Sequence, residues 1–266
     1  MSNLGLSLKE NTFKLPSEGK AYNQASYADG KMQLINGDSV KIRPIVTGDT
    51  RYLSGKGGDN YQTYYNMIER LVVEPKVEVD DLLLDDVNAI LFIIRIMSFG
   101  EDYEIAFDCI SCQQETKKTL KLSDLSIINA HEKKDYNPSS LEIKLSKNVV
   151  KVHAIRLKDE KAITRKMEDL SKLGMIHNEF VDRLYVRYAQ LIDEIDGEPQ
   201  AFFKKKMEFI DNLSPMDMDE LSYQIDQQSI GVVQAVSVDC DHANCGKANN
   251  VRIGVNANFF RTPPRR

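Results

Sequence analysis

The chain has 266 residues, 42% of them apolar and 28% charged, and its 35 basic and 40 acidic side chains leave a net charge of −5. This is the composition of a globular protein of one or two domains with enough apolar material for a sizeable core; it excludes wholesale disorder and gives no global basic footprint for nucleic acid. The most apolar run, Ala89 to Ile94, is broken by Arg95, far short of the roughly 20 residues a membrane span needs, and the opening MSNLGLSLKENTF has neither the basic start nor the long apolar stretch of a secretory signal.

Residues 1–58 read as extended chain and turns. Leu15-Pro16-Ser17-Glu18-Gly19-Lys20 is a turn signal, and Gly30, Asn36-Gly37-Asp38 and Gly48-Asp49 add further breaks along the chain. Residues 31–35 and 39–45 are strand candidates joined by Asn36-Gly37, the dipeptide that most favours a tight hairpin. In the next region, 59–124, the spacing of Tyr61, Tyr64, Tyr65, Ile68, Leu71 and Val72 predicts a helix over 59–73, with Pro75 past its end. A second helix over 81–99 is apolar around most of its circumference and so belongs at the centre of the core, with Gly100 as its stop. The period then drops to two: Tyr103, Ile105 and Phe107 lead into Cys109, and 116–122 returns from Cys112.

Residues 125–232 read as a mostly helical insertion carrying one hairpin, 141–145 with 149–157. The stretch 159–230 is expected to be helical throughout. One stripe is Ile163, Met167, Leu170, Leu173 and Ile176; another runs from Phe180 to Ile195; Phe202 to Ile210 follow Pro199. Ser214 fits an N-cap and Pro215 the first position of a last helix that stops at Gly231. Region 233–266 returns to strands on either side of Cys240 and Cys245, then closes with Phe259-Phe260 and the basic tail of residues 261–266. The expected fold class is α+β: a zinc-ribbon-like pair of β-hairpins with N-terminal strands and a large helical insertion, the first and last cysteine hairpins forming one domain.

The chain's four cysteines form two close pairs, Cys109-x2-Cys112 and Cys240-x4-Cys245, separated by 127 residues. Each pair sits at the tip of an expected hairpin, and two tips that each present two thiolates are what a tetrahedral zinc site requires. The reading is therefore a structural zinc ion held by Cys109, Cys112, Cys240 and Cys245, with His242 a possible substitute for one sulfur because the second spacer is wide. Four reduced, unligated thiols are the alternative. A site closed by four thiolates stabilises a fold and catalyses nothing.

Enzyme signatures are missing. Ser54-Gly55-Lys56-Gly57-Gly58 lacks phosphate-loop spacing, and no GxGxxG, HExxH or GxSxG occurs. His131, His153, His177 and His242 are isolated in sequence. Asp80-Asp81 and Asp85-Asp86 read as helix starts, and Lys204-Lys205-Lys206 as a solvated face.

The ordered set LPSEGKAY (15–22), VKIRPIVTGD ending at Asp49, and IIRIMSFGEDYEIAFDCISC ending at Cys112 resembles the T4-like phage baseplate family, the hub subunits and hub-assembly proteins of contractile-tailed phages. The second cysteine pair and FF-x-x-P, Phe259 to Pro263, are similar to that family's C-terminal end; the x4 spacing is a departure. The resemblance implies a non-enzymatic protein that binds other hub or tail proteins in the host cytoplasm during tail assembly, either staying in the virion baseplate or acting as a chaperone that leaves it. It implies no small-molecule substrate. The competing expectation is a zinc-ribbon nucleic-acid-binding or transcription-associated protein, which would use Lys247, Arg252, Arg261, Arg265 and Arg266.

Overall fold

The computed structural model describes residues 10–22, 33–52, 60–255 and 259–260. The glycine-rich loop 54–58, residues 30–32, the start of the expected helix at Asp59 and the basic tail lie outside the described residues. The architecture is mixed α+β, with six helices and several small antiparallel sheets among the described residues.

Strand β1 (Asn11–Lys14) pairs with β2 (Ser39–Ile42), and β2 in turn with β3 (Val72–Glu74). Asn36 and Gly37 take φ values of 55° and 81°, the left-handed pair that a tight turn demands. Among the described residues the turn closes a single bridge, Ile35 to Ser39, and residues 33–35 form no ladder with β2 beyond it. Strand β2 buries Val40 and Ile42 on one face and finds its ladder in β1, with Phe13 opposite Val40. Helix α1 (Asn60–Leu71) stops two residues before the expected end. Val72 and Val73 are β-branched and approach Pro75, which disfavours helical backbone in the residue before it, so the chain leaves as strand β3.

Helix α2 (Leu84–Phe99) is central, as its composition requires: Val87, Ile90, Leu91 and Ile94 are fully buried. Gly100, with φ of 85°, closes it by donating its N–H to the Ile96 carbonyl. Leu15, Val40, Ile42, Ile68, Leu71, Ile253 and Phe259 complete this first apolar cluster.

The segments that carry the family resemblance are its polar ties. Asp86 on α2 accepts from the Ser17 backbone N–H (3.0 Å) and from the Tyr22 hydroxyl (2.7 Å), while that hydroxyl receives the Leu83 N–H. Gly19 lies between them with φ of 74°, and a Cβ there would sit 2.0 Å from the Gly37 carbonyl oxygen, so no side chain fits. Arg43 grips Asp49 through its two terminal guanidinium nitrogens (2.7 and 3.1 Å). Arg95 is 1% exposed and donates to the carbonyls of Gly100, Asp102 and Phe259.

Beyond α2 the hairpin β4 (Asp102–Asp108) with β5 (Glu115–Lys121) forms as expected. Strand β6 (Ile127–Ile128) follows, then β7 (Leu141–Lys144) and β8 (Val149–Val152). The second hairpin strand ends at Val152 rather than 157, because Leu157 already opens α3 (Leu157–Lys172). Helix α4 (Glu179–Leu191) packs beside α3 and begins at Asn178, whose side chain accepts from the Phe180 and Val181 N–H groups.

The stretch 159–230 is not helical throughout. At Ile192 the chain becomes β9 (Ile192–Ile195), turns through Asp196 and Gly197 at φ 52° and 82°, and returns as β10 (Glu198–Pro199), giving a sheet of order β10-β9-β8-β7. Ile192 and Ile195 are three apart and fit a helical stripe, but Asp-Gly is a hairpin turn. Helix α5 (Phe203–Asp211) and helix α6 (Pro215–Gln227) follow, the latter capped by Ser214 Oγ accepting from the Asp217 N–H at 3.1 Å. A second apolar cluster, with Ile143, Val150, Ile163, Val186, Leu191, Ile210 and Leu221, fills the space among these elements. Strand β11 (Gly231–Val232) pairs with β6, and β12 (Ala235–Asp239) with β13 (Ala248–Arg252).

Candidate metal centre

The two cysteine pairs sit where β4 turns into β5 and where β12 turns into β13. In the first turn Cys109 closes on residue 114: its N–H donates to the Gln114 carbonyl (3.1 Å), and its own carbonyl accepts from the Gln113 N–H (2.9 Å). Gln113 takes φ of 58°, the sharp reversal that turns both sulfurs to one side. In the second turn the Cys240 N–H donates to the Lys247 carbonyl and the Cys245 N–H to the His242 carbonyl, both at 3.0 Å. The longer spacer is accommodated by two left-handed residues, Asn244 (φ 67°) and Gly246 (φ 57°). Gly246 is the small residue at which this turn folds back.

The fold brings all four expected site residues together. The sulfurs of Cys109, Cys112, Cys240 and Cys245 lie within 4.8 Å of one another. Cys109 Sγ is 3.7 Å from Cys245 Sγ, and Cys112 Sγ 3.7 Å from Cys240 Sγ. Each close contact joins one pair to the other. A zinc–sulfur bond of about 2.3 Å in a tetrahedron sets sulfurs about 3.8 Å apart, so the donor set matches a four-thiolate ion in number, softness and spacing. Cys109 and Cys240 are buried, and Cys112 and Cys245 half-buried.

His242 is not among the donors. Its Nε2 lies 2.9 Å from the carbonyl oxygen of Glu115, so the ring braces the second turn against the start of β5. Asp241 beside it forms an ion pair with Lys118 across the same seam.

Two residues that sequence reasoning missed complete the junction. Asn249 is 3% exposed. Its Oδ1 accepts from the Ile110 N–H (2.9 Å), and its Nδ2 donates to the Lys247 carbonyl (2.7 Å) and towards Cys109 Sγ (3.6 Å). One amide therefore ties both turns and touches a cysteine sulfur. Thr116, equally hidden, places its hydroxyl 3.4 Å from Cys240 Sγ. Neighbours of this kind orient metal ligands. Only the paired, inward register of β5 and β13 could have exposed them beforehand.

The thiols are held in unequal states. Backbone N–H groups of Cys112 and Ser111 push Cys109 down to about 6. The Gln114 N–H favours the Cys112 thiolate too, but burial and the neighbouring sulfurs outweigh it and push that thiol up to about 11. Four like charges within one small volume repel; a divalent cation is what allows all four to ionise together.

The other histidines stay apart from the centre. His153 is clamped by Asp193 at Nδ1 (2.9 Å) and Asp159 at Nε2 (3.4 Å). Burial disfavours its imidazolium, but the two carboxylates prevail and push it up to about 9. His131 Nδ1 meets Glu18 at 2.7 Å. Asp80 and Asp81 lie in a short 3-10 turn, and Asp85 and Asp86 in the first turn of α2, as expected of helix starts.

Comparison with known proteins places this geometry in context. The family described as T4 bacteriophage base plate protein matches residues 10–261, a span that includes both cysteine turns and everything between them. Among curated proteins, the septation ring formation regulator EzrA of Bacillus pumilus (strain SAFR-032) is 28% identical over 130 residues, which is 48% of this chain and 22% of that protein. The chain therefore spans about a fifth of that relative's length. No solved structure matches. Among the described residues no helix is long and apolar enough to cross a membrane.

Proposed function

We propose, from the premise that the chain belongs to the T4 bacteriophage base plate protein family, that it is a non-enzymatic hub component or hub-assembly factor of the baseplate and acts by binding other baseplate or tail proteins. The observation that carries this reading is the extent of the family match, residues 10–261. The segments of the resemblance support it: their polar groups are used up in internal ties such as Asp86 to Ser17 and Arg95 to Phe259, a use that fits a scaffold.

In this reading Cys109, Cys112, Cys240 and Cys245 hold a structural zinc ion. When bound, the ion supplies folding free energy, on the order of 10–16 kcal/mol in small zinc-finger peptides, and a set of four thiolates leaves no open position for water. The chain's own groups do the positioning: Asn249 joins the two turns, Thr116 and the Ser111 N–H face the sulfurs, and His242 braces the longer turn. The reducing host cytoplasm keeps such thiols available as ligands during assembly.

The test is recovery of the tagged protein from infected cells, with proteomics, beside the purified particle and a metal assay. Co-recovery with hub proteins and presence in the particle identify a hub component. Co-recovery without presence in the particle identifies an assembly factor. Recovery with nucleic acid or polymerase overturns the reading, and a metal-free, fully folded protein overturns the zinc part of it.

A further inference from the structure

A groove of about 290 Å3 runs between α4, α5 and the start of α6. Tyr185, Ile210, Leu213, Pro215 and Met218 give it apolar walls, and two exposed carboxylates, Asp211 and Asp219, line it as well. Asp211 is the last residue of α5, where the helix dipole already presents negative charge and a carboxylate is unfavourable unless a cation answers it. Among the described residues neither Asp211 nor Asp219 takes part in an ion pair.

The outer face of α6 continues this character. Met216 is 80% exposed and Tyr223 57% exposed, and two helical turns separate them on one face. Asp219 and Glu220 lie between them and Asp226 beyond, all exposed. Helix α6 carries no Lys, Arg or His. Among the described residues the Glu220 carboxylate receives only the Gln224 side-chain amide, at 2.7 Å. An apolar strip flanked by unanswered carboxylates discriminates by charge: it accepts an amphipathic cationic chain and repels an acidic one.

We infer that this groove and the adjoining face of α6 are a docking site for a basic, amphipathic segment of a partner protein. A Lys or Arg side chain lays its aliphatic stem along Ile210, Leu213 and Met218 and presents its charged head to Asp211 and Asp219. Apolar residues of the same segment cover Met216 and Tyr223. That the partner is a baseplate protein rests on the function proposed above.

The experiment uses the full chain and two dye-labelled probe peptides, one amphipathic Leu/Lys and its Leu/Glu counterpart, followed by fluorescence anisotropy. The Leu/Lys peptide binds and the Leu/Glu peptide does not. The double variant Asp211→Asn/Asp219→Asn weakens binding by about tenfold, and Tyr223→Ala weakens it severalfold. A control of equal charge change far from the groove in sequence, Glu104→Gln/Asp124→Asn, at exposed positions on and after the β4–β5 hairpin, leaves it unchanged. Unchanged melting temperatures confirm that the variants fold. Equal weakening by the control means bulk charge attraction and overturns the site, as does wild-type affinity in the groove variant or no binding of the Leu/Lys peptide. A chain that enters the baseplate yet ignores the peptide removes the docking site alone. A chain that takes up the peptide but is recovered with no tail protein removes the baseplate role alone.

Discussion

Each of the four strands that lead to the cysteines buries a single residue, Ile105 on β4, Thr116 on β5, Val238 on β12 and Asn249 on β13, and two of these four are polar. The helical block between the hairpins is built the other way, with Ile163, Val186, Tyr188, Leu191 and Leu221 packed into one apolar cluster. At about 25 cal/mol per Å2 of apolar area, the block has a driving force of its own, whereas the junction has almost none. What the junction has is four sulfurs and one amide in register. The two regions should therefore fail under different insults: the junction to loss of a ligand, the block to loss of volume.

The largest expected effect comes from that contrast. Cys240→Ser or Cys109→Ser should abolish stoichiometric zinc and lower the melting temperature by about 10 °C or more, since several kcal/mol are lost at roughly 2–4 °C per kcal/mol. Amide exchange should quicken first in β4–β5 and β12–β13 while α4 and α6 stay protected. Unchanged melting and metal content in both variants would break the comparison at its root.

A deletion on the other side should do the reverse. Leu221→Ala, at a fully buried position, should cost about 2–5 kcal/mol of stability and leave the zinc content intact. Loss of metal together with stability in this variant would show that the two regions unfold as one unit.

Smaller effects come from titration, and the sign is the same for both groups. The folded-state pKa of His153 is raised to about 9 by Asp159 and Asp193, so its contribution is complete below the unfolded value near 6.5 and is lost as pH rises through 9. The half-exposed Asp193 limits it to about 2 kcal/mol. Burial, reinforced by neighbouring Asp86 and opposed by the Ile230 N–H, pushes Asp85 up to about 6; its contribution is complete below 3.8 and lost through pH 6. Denaturant titrations across pH should show both losses. His153→Gln should flatten the upper window and Asp85→Asn the lower, and a profile that neither variant alters would remove these groups from the account.

The convergence of the four cysteines was legible in the sequence because cysteine pairs at strand–turn–strand tips state their geometry in their spacing. The order of the helices was legible too, down to the Ser214 cap. Strand β9 was not, because Ile192 and Ile195, three apart, fit a helical stripe and only a register shift against β8 seats them opposite Val152 and Val150, while the Asp196-Gly197 turn between short strands passes unnoticed inside a helical context. Nor was the partner of β2: Asn36-Gly37 fixes the reversal but not the strand that lies alongside. Asn249 and Arg95 were invisible as anchors because their roles depend on residues more than a hundred positions away. Arg95 interrupts an apolar run in sequence, yet in space it is among the most deeply buried side chains.

That arginine also ties folding to synthesis. Its Nε holds the Phe259 carbonyl at 2.9 Å, and the Phe259 ring packs at a tilt against Phe92 and Tyr103 with centroids 4.8 and 5.3 Å away. Phe259 is made 164 positions after Arg95. A chain made only as far as β13 would keep the Gly100 and Asp102 carbonyls for Arg95 but would leave apolar surface uncovered until Phe259 follows, the condition under which partly folded chains associate.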